Sequence, residues 1–200
     1  DFVFCQSQCA VYRMVEFYDP ALFRRVKKRV DEGRFVFAGS SFVELDKNMP
    51  NLESMARHIL YTRQFLQERF GISYEKINLD FHPDSFGHSY DFPKILRSFG
   101  IENFVITRGV GDEYCLGSEF YMQSNDGSTI LVCTMIAGYG YGCYAFKEGR
   151  LFEDSAQDYN RIGVRSLIER LLSYSTIKDE FVFPLGFDQN PAILNIPEQI

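Results

Sequence analysis

Short apolar runs alternate with amphipathic stretches along most of the chain. Phe2-Val3-Phe4-Cys5 reads as a strand, and Ala10 to Tyr18 carries apolar residues at helical spacing. Pro20 stands where a new helix begins; that helix turns Leu22, Phe23, Val26 and Val30 inward and stops near Gly33. Arg34 to Gly39 is the next strand, giving strand, helices, strand, the order of a parallel crossover. Leu52 to Phe70 predicts one long helix with Met55, Ile59, Leu60, Phe65, Leu66 and Phe70 on its apolar side, ended by Gly71. Lys76-Ile77-Asn78-Leu79 reads as a short buried strand, Phe92 to Ser98 as a helix, and Asn103 to Thr107 as a strand. Glu119 to Cys133 predicts a hairpin turned at Asp126-Gly127. Ser155 to Asn160 is a polar linker, and Val164 to Ser173 is a helix with Leu167, Ile168, Leu171 and Leu172 inward. Phe181 to Gly186 predicts a last buried strand. The alternation implies an α/β fold, with strands near Phe2, Phe35, Ile77, Phe104 and Val182 as parallel neighbours. No internal repeat or low-complexity segment interrupts it.

Composition narrows the class. The chain has 200 residues, 46% hydrophobic and 16% aromatic, as a folded globular chain does. A net charge of −6 without a basic stripe argues against a nucleic-acid partner. The basic run Arg24-Arg25-Val26-Lys27-Lys28-Arg29 falls on the Pro20 helix and reads as its solvated face. The five cysteines, Cys5, Cys9, Cys115, Cys133 and Cys143, match no zinc or redox spacing. They are expected to be reduced thiols; a metal pair at Cys5 and Cys9 lacks a second pair to complete it. No apolar run spans a membrane, and the first residues are not a signal peptide. The chain opens at Asp1 directly before a strand, so a piece of a longer protein is expected.

The chemistry concentrates in Asp80-Phe81-His82-Pro83-Asp84-Ser85-Phe86-Gly87-His88-Ser89. Here a strand gives way to a loop, the place where α/β folds build sites. Pro83 fixes the approach, Gly87 permits a sharp turn, and Asp84 stands at the strand top with aromatic Phe86 beside it. The plainer alternative makes Asp84 a turn or helix-capping residue. His82 and His88 flank Asp84 and suggest a metal cluster, although neighbours on one turn often diverge. Arg108 ends the next strand, and a guanidinium beside a carboxylate favours its ionised form. Asp188 follows the last strand, so a second carboxylate sits at a strand top. The loop Gly39 to Ser54 holds Glu44, Asp46 and Glu53, which either bind hydroxyl-rich substrate or serve the next helix, capped by Asn48 or Asn51. Gly138-Tyr139-Gly140-Tyr141-Gly142 lacks the lysine and hydroxyl of a phosphate loop, so an aromatic loop offering Tyr141 is the better reading.

Several of these words resemble the family 38 glycoside hydrolases, the α-mannosidases. Pro83-Asp84-Ser85-Phe86-Gly87-His88-Ser89, then Pro93-Lys94-Ile95-Leu96 and Gly100-Ile101, resemble that family's nucleophile segment. Ser40 to Ser54 resembles its Gly-x-Trp-Val-Glu-x-Asp-x-Asn-x-Pro-x-x-Glu-Ser segment, with Phe42 in place of the tryptophan. Asp126-Gly127-Ser128 and Gly186-Phe187-Asp188-Gln189 fit further segments, whereas Gly142 stands where the family has Asp or Asn. The resemblance implies a partial seven-stranded (β/α) barrel with parallel strands and helices outside. Residues 1–200 would be part of a single N-terminal catalytic domain, truncated at both ends. It implies a retaining α-mannosidase acting on an α-mannoside or oligosaccharide through a covalent glycosyl-aspartate intermediate. Asp84 would be nucleophile and metal ligand, Asp188 the acid/base, and Phe86, Arg108, Tyr141 and Asp46 substrate contacts. The cofactor would be one Zn²⁺, its other ligands a His-x-Asp motif upstream and a histidine downstream of these residues. The expected location is cytoplasmic, with neither membrane nor nucleic acid as partner, and self-association of the full-length form stays open. Two alternatives remain: a metal-dependent hydrolase on a related barrel, such as a polysaccharide deacetylase, and a non-catalytic sugar-binding relic.

Overall fold

The computed structural model describes residues 3–111, 117–135, 138–140, 164–178 and 180–183. The chain divides into two compact units, Asp1–Gly109 with Tyr121–Val132, and Val110–Phe120 with Cys133–Ile200.

In the first unit β1 (Phe4–Gln6) is followed by α1 (Cys9–Tyr18) and α2 (Pro20–Asp31). Asp19 caps α2 by accepting from the Leu22 amide at 2.9 Å, and Pro20 stands in the first turn, where its missing N–H costs nothing. The basic face of α2 is solvated, with Lys28 and Arg29 paired to Glu32. Phe23 is the buried residue of that helix, whereas Leu22, expected inside, is exposed. β2 (Phe35–Phe37) runs parallel to β1 with Phe4 opposite Phe35, as the crossover requires. Tyr12 of α1 packs edge-on against Phe37 at 4.8 Å and joins Cys9, Phe23, Phe65, Leu66 and Ile77 in one core cluster.

α3 (Leu52–Phe70) has Asn51 as its N-cap, accepting from Ser54 N at 2.9 Å, and Gly71 at φ 67° closes it. Met55, Ile59, Phe65 and Leu66 are buried as the spacing predicts; Leu60 is exposed, and Arg63 is buried instead. The Arg63 guanidinium donates to the Phe99 carbonyl and stacks near Tyr74 and Phe99, so its charge is met by backbone and rings.

A second sheet has the order β3-β4-β6-β5. β3 (Leu79–His82) and β4 (Asn103–Ile106) are parallel, with His82 opposite Ile106, and α4 (Phe92–Ser98) forms the crossover between them. β3 starts later than the sequence predicts. Lys76 belongs to a 3-10 turn (Tyr74–Lys76), and the buried face of the strand carries Asp80 and His82. An apolar count stops at Leu79 because the next two inward positions are polar. β5 (Glu119–Gln123) and β6 (Thr129–Thr134) form the expected hairpin, with Gly127 at φ 85° and Asp126 accepting from Ser128 N. The described residues thus form two partial sheets with parallel pairs and helices; Ser40 and Ser41, after β2, reach β3 through hydrogen bonds to Asp80.

In the second unit, Leu167 and Leu171 of α5 (Val164–Tyr174) are buried and pack against Phe181 and Phe183. Glu119 accepts from Thr176 through its backbone amide (2.9 Å) and its hydroxyl (2.5 Å). Phe181 to Phe183 is not a strand, and Val182 is exposed. The two phenylalanines pack against α5, which the alternating pattern does not distinguish from strand pairing; residues 184–186 of the expected strand lie outside the described residues. No helix among the described residues is long and apolar enough to cross a membrane.

Candidate active site

Parallel pairing of β3 and β4 places Asp84 and Arg108 together. The register His82–Ile106, continued two residues past both strand ends, makes Asp84 and Arg108 neighbours. Arg108 Nε donates to Asp84 Oδ1 at 2.5 Å, and both side chains are about half exposed. Asp84 Oδ2 has no hydrogen-bond partner among the described residues. Phe86 lies open to solvent, 74% exposed, with the Arg108 guanidinium 5.3 Å from its ring centre. A carboxylate, a guanidinium and an exposed aromatic face are therefore adjacent, a combination suited to a polyol with apolar C–H faces. Asp84 does not cap α4, whose N-cap is Asp91.

His88 secures this edge from the side. Its Nε2 lies 2.9 Å from the Arg108 carbonyl, which can only accept, so Nε2 donates and carries the proton. Its ring packs edge-on to Phe104 at 5.0 Å, and burial first of all holds its pKa below the ordinary value. A Cβ on Gly109, at φ 91°, would lie 2.6 Å from His88 Cδ2, so both backbone and space require glycine there. Gly87 has a different reason from the one expected. It is not among the positive-φ glycines; instead a Cβ there would meet Asn48 Nδ2 at 2.6 Å.

Beneath Asp84 lies a buried polar group that the sequence did not disclose. Asp80 and Lys47 are 0% exposed and His82 1%. Asp80 Oδ1 accepts from Ser40 Oγ (2.6 Å) and Ser41 Oγ (3.3 Å), and Oδ2 from Lys47 Nζ at 3.2 Å. His82 Nε2 lies 2.9 Å from Lys47 Nζ and accepts the Leu45 amide at 3.3 Å, which leaves the ring proton on Nδ1. That Nδ1 is 2.9 Å from Asp80 Oδ2, off the line of a hydrogen bond. The ammonium also sits 4.1 Å from the Phe92 ring centre. Burial opposes the Asp80 charge, yet His82, Lys47 and Ser40 together hold its carboxyl well below the usual carboxylate range. Burial pushes Lys47 and His82 down. The signal was Asp80 and His82 at alternate positions of one strand, hence on one face.

The loop after β2 is fixed by side chains. Val43 N donates to His58 Nδ1, Glu44 N to Gln8 Oε1 and Leu45 N to His82 Nε2, so three successive amides are met from three elements. Asp46 is exposed and uses Oδ1 to accept from Asn48 N and Met49 N, forming its own turn. Glu53 pairs with Arg57 on the surface of α3. Tyr141 and Asp188 lie outside the described residues.

The described residues contain no group of three potential metal ligands. His82 turns its acceptor to Lys47 and Leu45, and the acceptor left to His88, Nδ1, is buried without a hydrogen-bond partner among the described residues; neither histidine falls in a group of three potential ligands with Asp84. The donor set suits one carboxylate ligand, Asp84, and no more. Cys5 and Cys9 are free thiols, and burial pushes the Cys9 thiol up to about 12, unlike a metal-ready thiolate. A groove of about 340 Å³ between Arg13, Phe42, Tyr61, Phe65 and Arg69 includes none of the strand-top residues.

The sequence profile of the glycosyl hydrolases family 38 N-terminal domain matches residues 1–198, and the chain belongs to that family. It is 36% identical over 132 residues to alpha-mannosidase G of Dictyostelium discoideum, covering 65% of this chain and 12% of the relative. It is 30% identical over 135 residues to alpha-mannosidase 2C1 of Homo sapiens, covering 66% of this chain and 13% of the relative. Among solved structures, an alpha-mannosidase from Enterococcus faecalis V583 superposes with a TM-score of 0.78 at 18% identity, over 99% of this chain and 21% of that one. The chain therefore spans well under a quarter of the length of these relatives.

Proposed function

We propose that this chain forms part of a longer retaining α-mannosidase, with Asp84 as the nucleophile. The observation that carries the reading is the Asp84–Arg108 pair at adjacent strand tops beside exposed Phe86, in a chain of this family. Arg108 holds Oδ1 and fixes the carboxylate plane, so Oδ2 is the atom directed to the anomeric carbon. Phe86 offers its face to the C–H side of the sugar, and Asp46 keeps Oδ2 for a hydroxyl while Oδ1 forms the turn. The α-mannoside's leaving oxygen takes a proton from Asp188, which then activates the water that releases the sugar from Asp84. Tyr141 is assigned to the sugar on the resemblance alone. Zn²⁺, when bound, would orient and polarise the sugar hydroxyls, and Asp84 is the one ligand assigned among the described residues. The fold that accommodates this is the partial seven-stranded barrel, with its parallel strand tops at one end.

The test is release of mannose from an aryl α-mannoside by the full-length protein, with and without chelator, with the anomer identified by NMR. Chelator-sensitive release of α-mannose supports the reading. Release of acetate from an acetylated glycan would favour the deacetylase alternative, and binding without turnover a sugar-binding relic.

A further inference from the structure

We propose that Lys47, Asp80 and His82 form a positioning unit that suspends Asp84 on the backbone of Leu45. The inference rests on Asp84 being the reacting carboxylate. Leu45 is gripped at both of its polar atoms: its amide donates to His82 Nε2 at 3.3 Å, and its carbonyl accepts from Ser85 Oγ at 3.3 Å. His82 and Ser85 bracket Pro83 and Asp84, so the reactive residue lies on a short span tied at each end to the backbone of one residue, through its two flanking peptide groups. His82 makes that tie only while its ring is held, and Lys47 Nζ holds it at Nε2 while bonding Asp80 Oδ2. Asp80 is anchored in turn to Ser40 and Ser41, at the end of β2. Three side chains thus link two strand ends and the loop that carries Asp46.

Stability is a poor reason for this arrangement. Burying an ion pair completely costs several kcal/mol of desolvation per ion, and well-packed apolar side chains of similar volume often do as well or better. What apolar replacements lack is direction: they leave the Leu45 amide without its acceptor and release one end of the Asp84 span. A displacement of about 1 Å at a reacting group is enough to cost roughly 100-fold in rate. The unit touches no substrate, so its loss should appear in kcat and leave KM nearly unchanged.

The experiment uses the full-length protein and a triple variant, Lys47→Met, Asp80→Leu and His82→Leu, with His82→Leu and His82→Gln as single changes. Glutamine keeps an acceptor for the Leu45 amide. Each protein is measured for thermal unfolding, for kcat and KM on an aryl α-mannoside, and for amide hydrogen exchange in peptides covering 43–49 and 79–88. The expected result is a folded triple variant with faster exchange in those two peptides. Its kcat should fall about 10- to 100-fold at similar KM, and His82→Gln should retain more than His82→Leu. Wild-type kcat and wild-type exchange in the folded triple variant, or in His82→Leu if the triple variant does not fold, would overturn the proposal. If the unaltered protein releases no mannose, it is the functional reading that fails, and the exchange of residues 43–49 then decides the positioning role by itself.

Discussion

Asp84 and Arg108 are 24 residues apart, the same offset as His82 and Ile106 in the β3–β4 ladder, and their side chains meet at 2.5 Å just above it. The strand register fixes the pair, and no loop geometry needs to be invoked. Replacing Arg108 by Met leaves the strands intact and removes the group that orients the carboxylate. The expected outcome in the full-length enzyme is a drop in kcat of roughly 10- to 100-fold, the scale of one charge-assisted hydrogen bond at a reacting group. Steady-state kinetics on an aryl α-mannoside measure it; unchanged kcat would remove Arg108 from the site.

Gly87 and Asn48 make a second pair with a sharp test. Gly87→Ala places a methyl 2.6 Å from Asn48 Nδ2, so the two loops must separate or the amide must turn away. Asn48 is exposed and its amide can turn away, so the substitution should lower stability by no more than about 1 kcal/mol. Asn48→Ala in the same chain should recover most of it. Thermal melts of the two single variants and the double variant check this, and additive losses would contradict the contact.

All three histidines shift in the same direction. Burial first of all holds His58, His82 and His88 below the ordinary imidazole value of 6.5. The folded chain then binds fewer protons than the unfolded one, so their contribution is complete above pH 6.5 and is lost as pH falls below it. Asp80, also depressed, adds a loss only at lower pH, below the usual carboxylate range. Urea midpoints should therefore fall between pH 7 and pH 5 and continue to fall in stronger acid. A flat midpoint across that first window would mean that the imidazoles are solvated in solution.

Zinc titration examines the donor set. With Asp84 as the single ligand assigned among the described residues, the 200-residue chain should bind zinc weakly and without defined stoichiometry, most of the shell being left to water. Tight one-to-one binding by calorimetry would show that His82 leaves its observed partners, or that His88 Nδ1 turns outward, to become a ligand.

Much of this was legible in the residues. Asn51, Gly71, Pro20 and Asp126-Gly127 carry local chemistry that acts within a few positions, and the elements they bound lie where they predict. Asp84 and Arg108 were found because each follows an apolar strand. Lys47 was not, because its burial is set by residues 33 and 35 positions away, which no local period encodes. Asp80 and His82 hid the true extent of β3, since polar inward residues look like the end of a strand. Leu22 and Leu60 were placed inside by spacing but are exposed, as the cores beside them are filled by Phe23 and by Arg63 with its aromatic neighbours. Phe181 to Phe183 satisfied the strand pattern but pack on α5 without forming a strand.

The two carboxylates should separate by role. On the proposed roles, Asp188→Asn in the full-length protein should remove proton transfer, worth ~10²–10⁴-fold, and mainly for substrates whose leaving group needs the proton. An activated aryl mannoside should still react, and azide should restore turnover. Equal losses on activated and unactivated substrates would return the acid/base role to Glu44 or Asp46.

The central claim is that Asp84 is the atom source of the covalent bond, and trapping tests it most directly. The full-length protein is incubated with an activated fluoro-mannoside whose glycosyl ester hydrolyses slowly, then digested and mapped by mass spectrometry. The account predicts one added sugar on the peptide carrying Asp84, absent from Asp84→Asn. A sugar on another carboxylate, or inversion of configuration with no trapped ester, would contradict it.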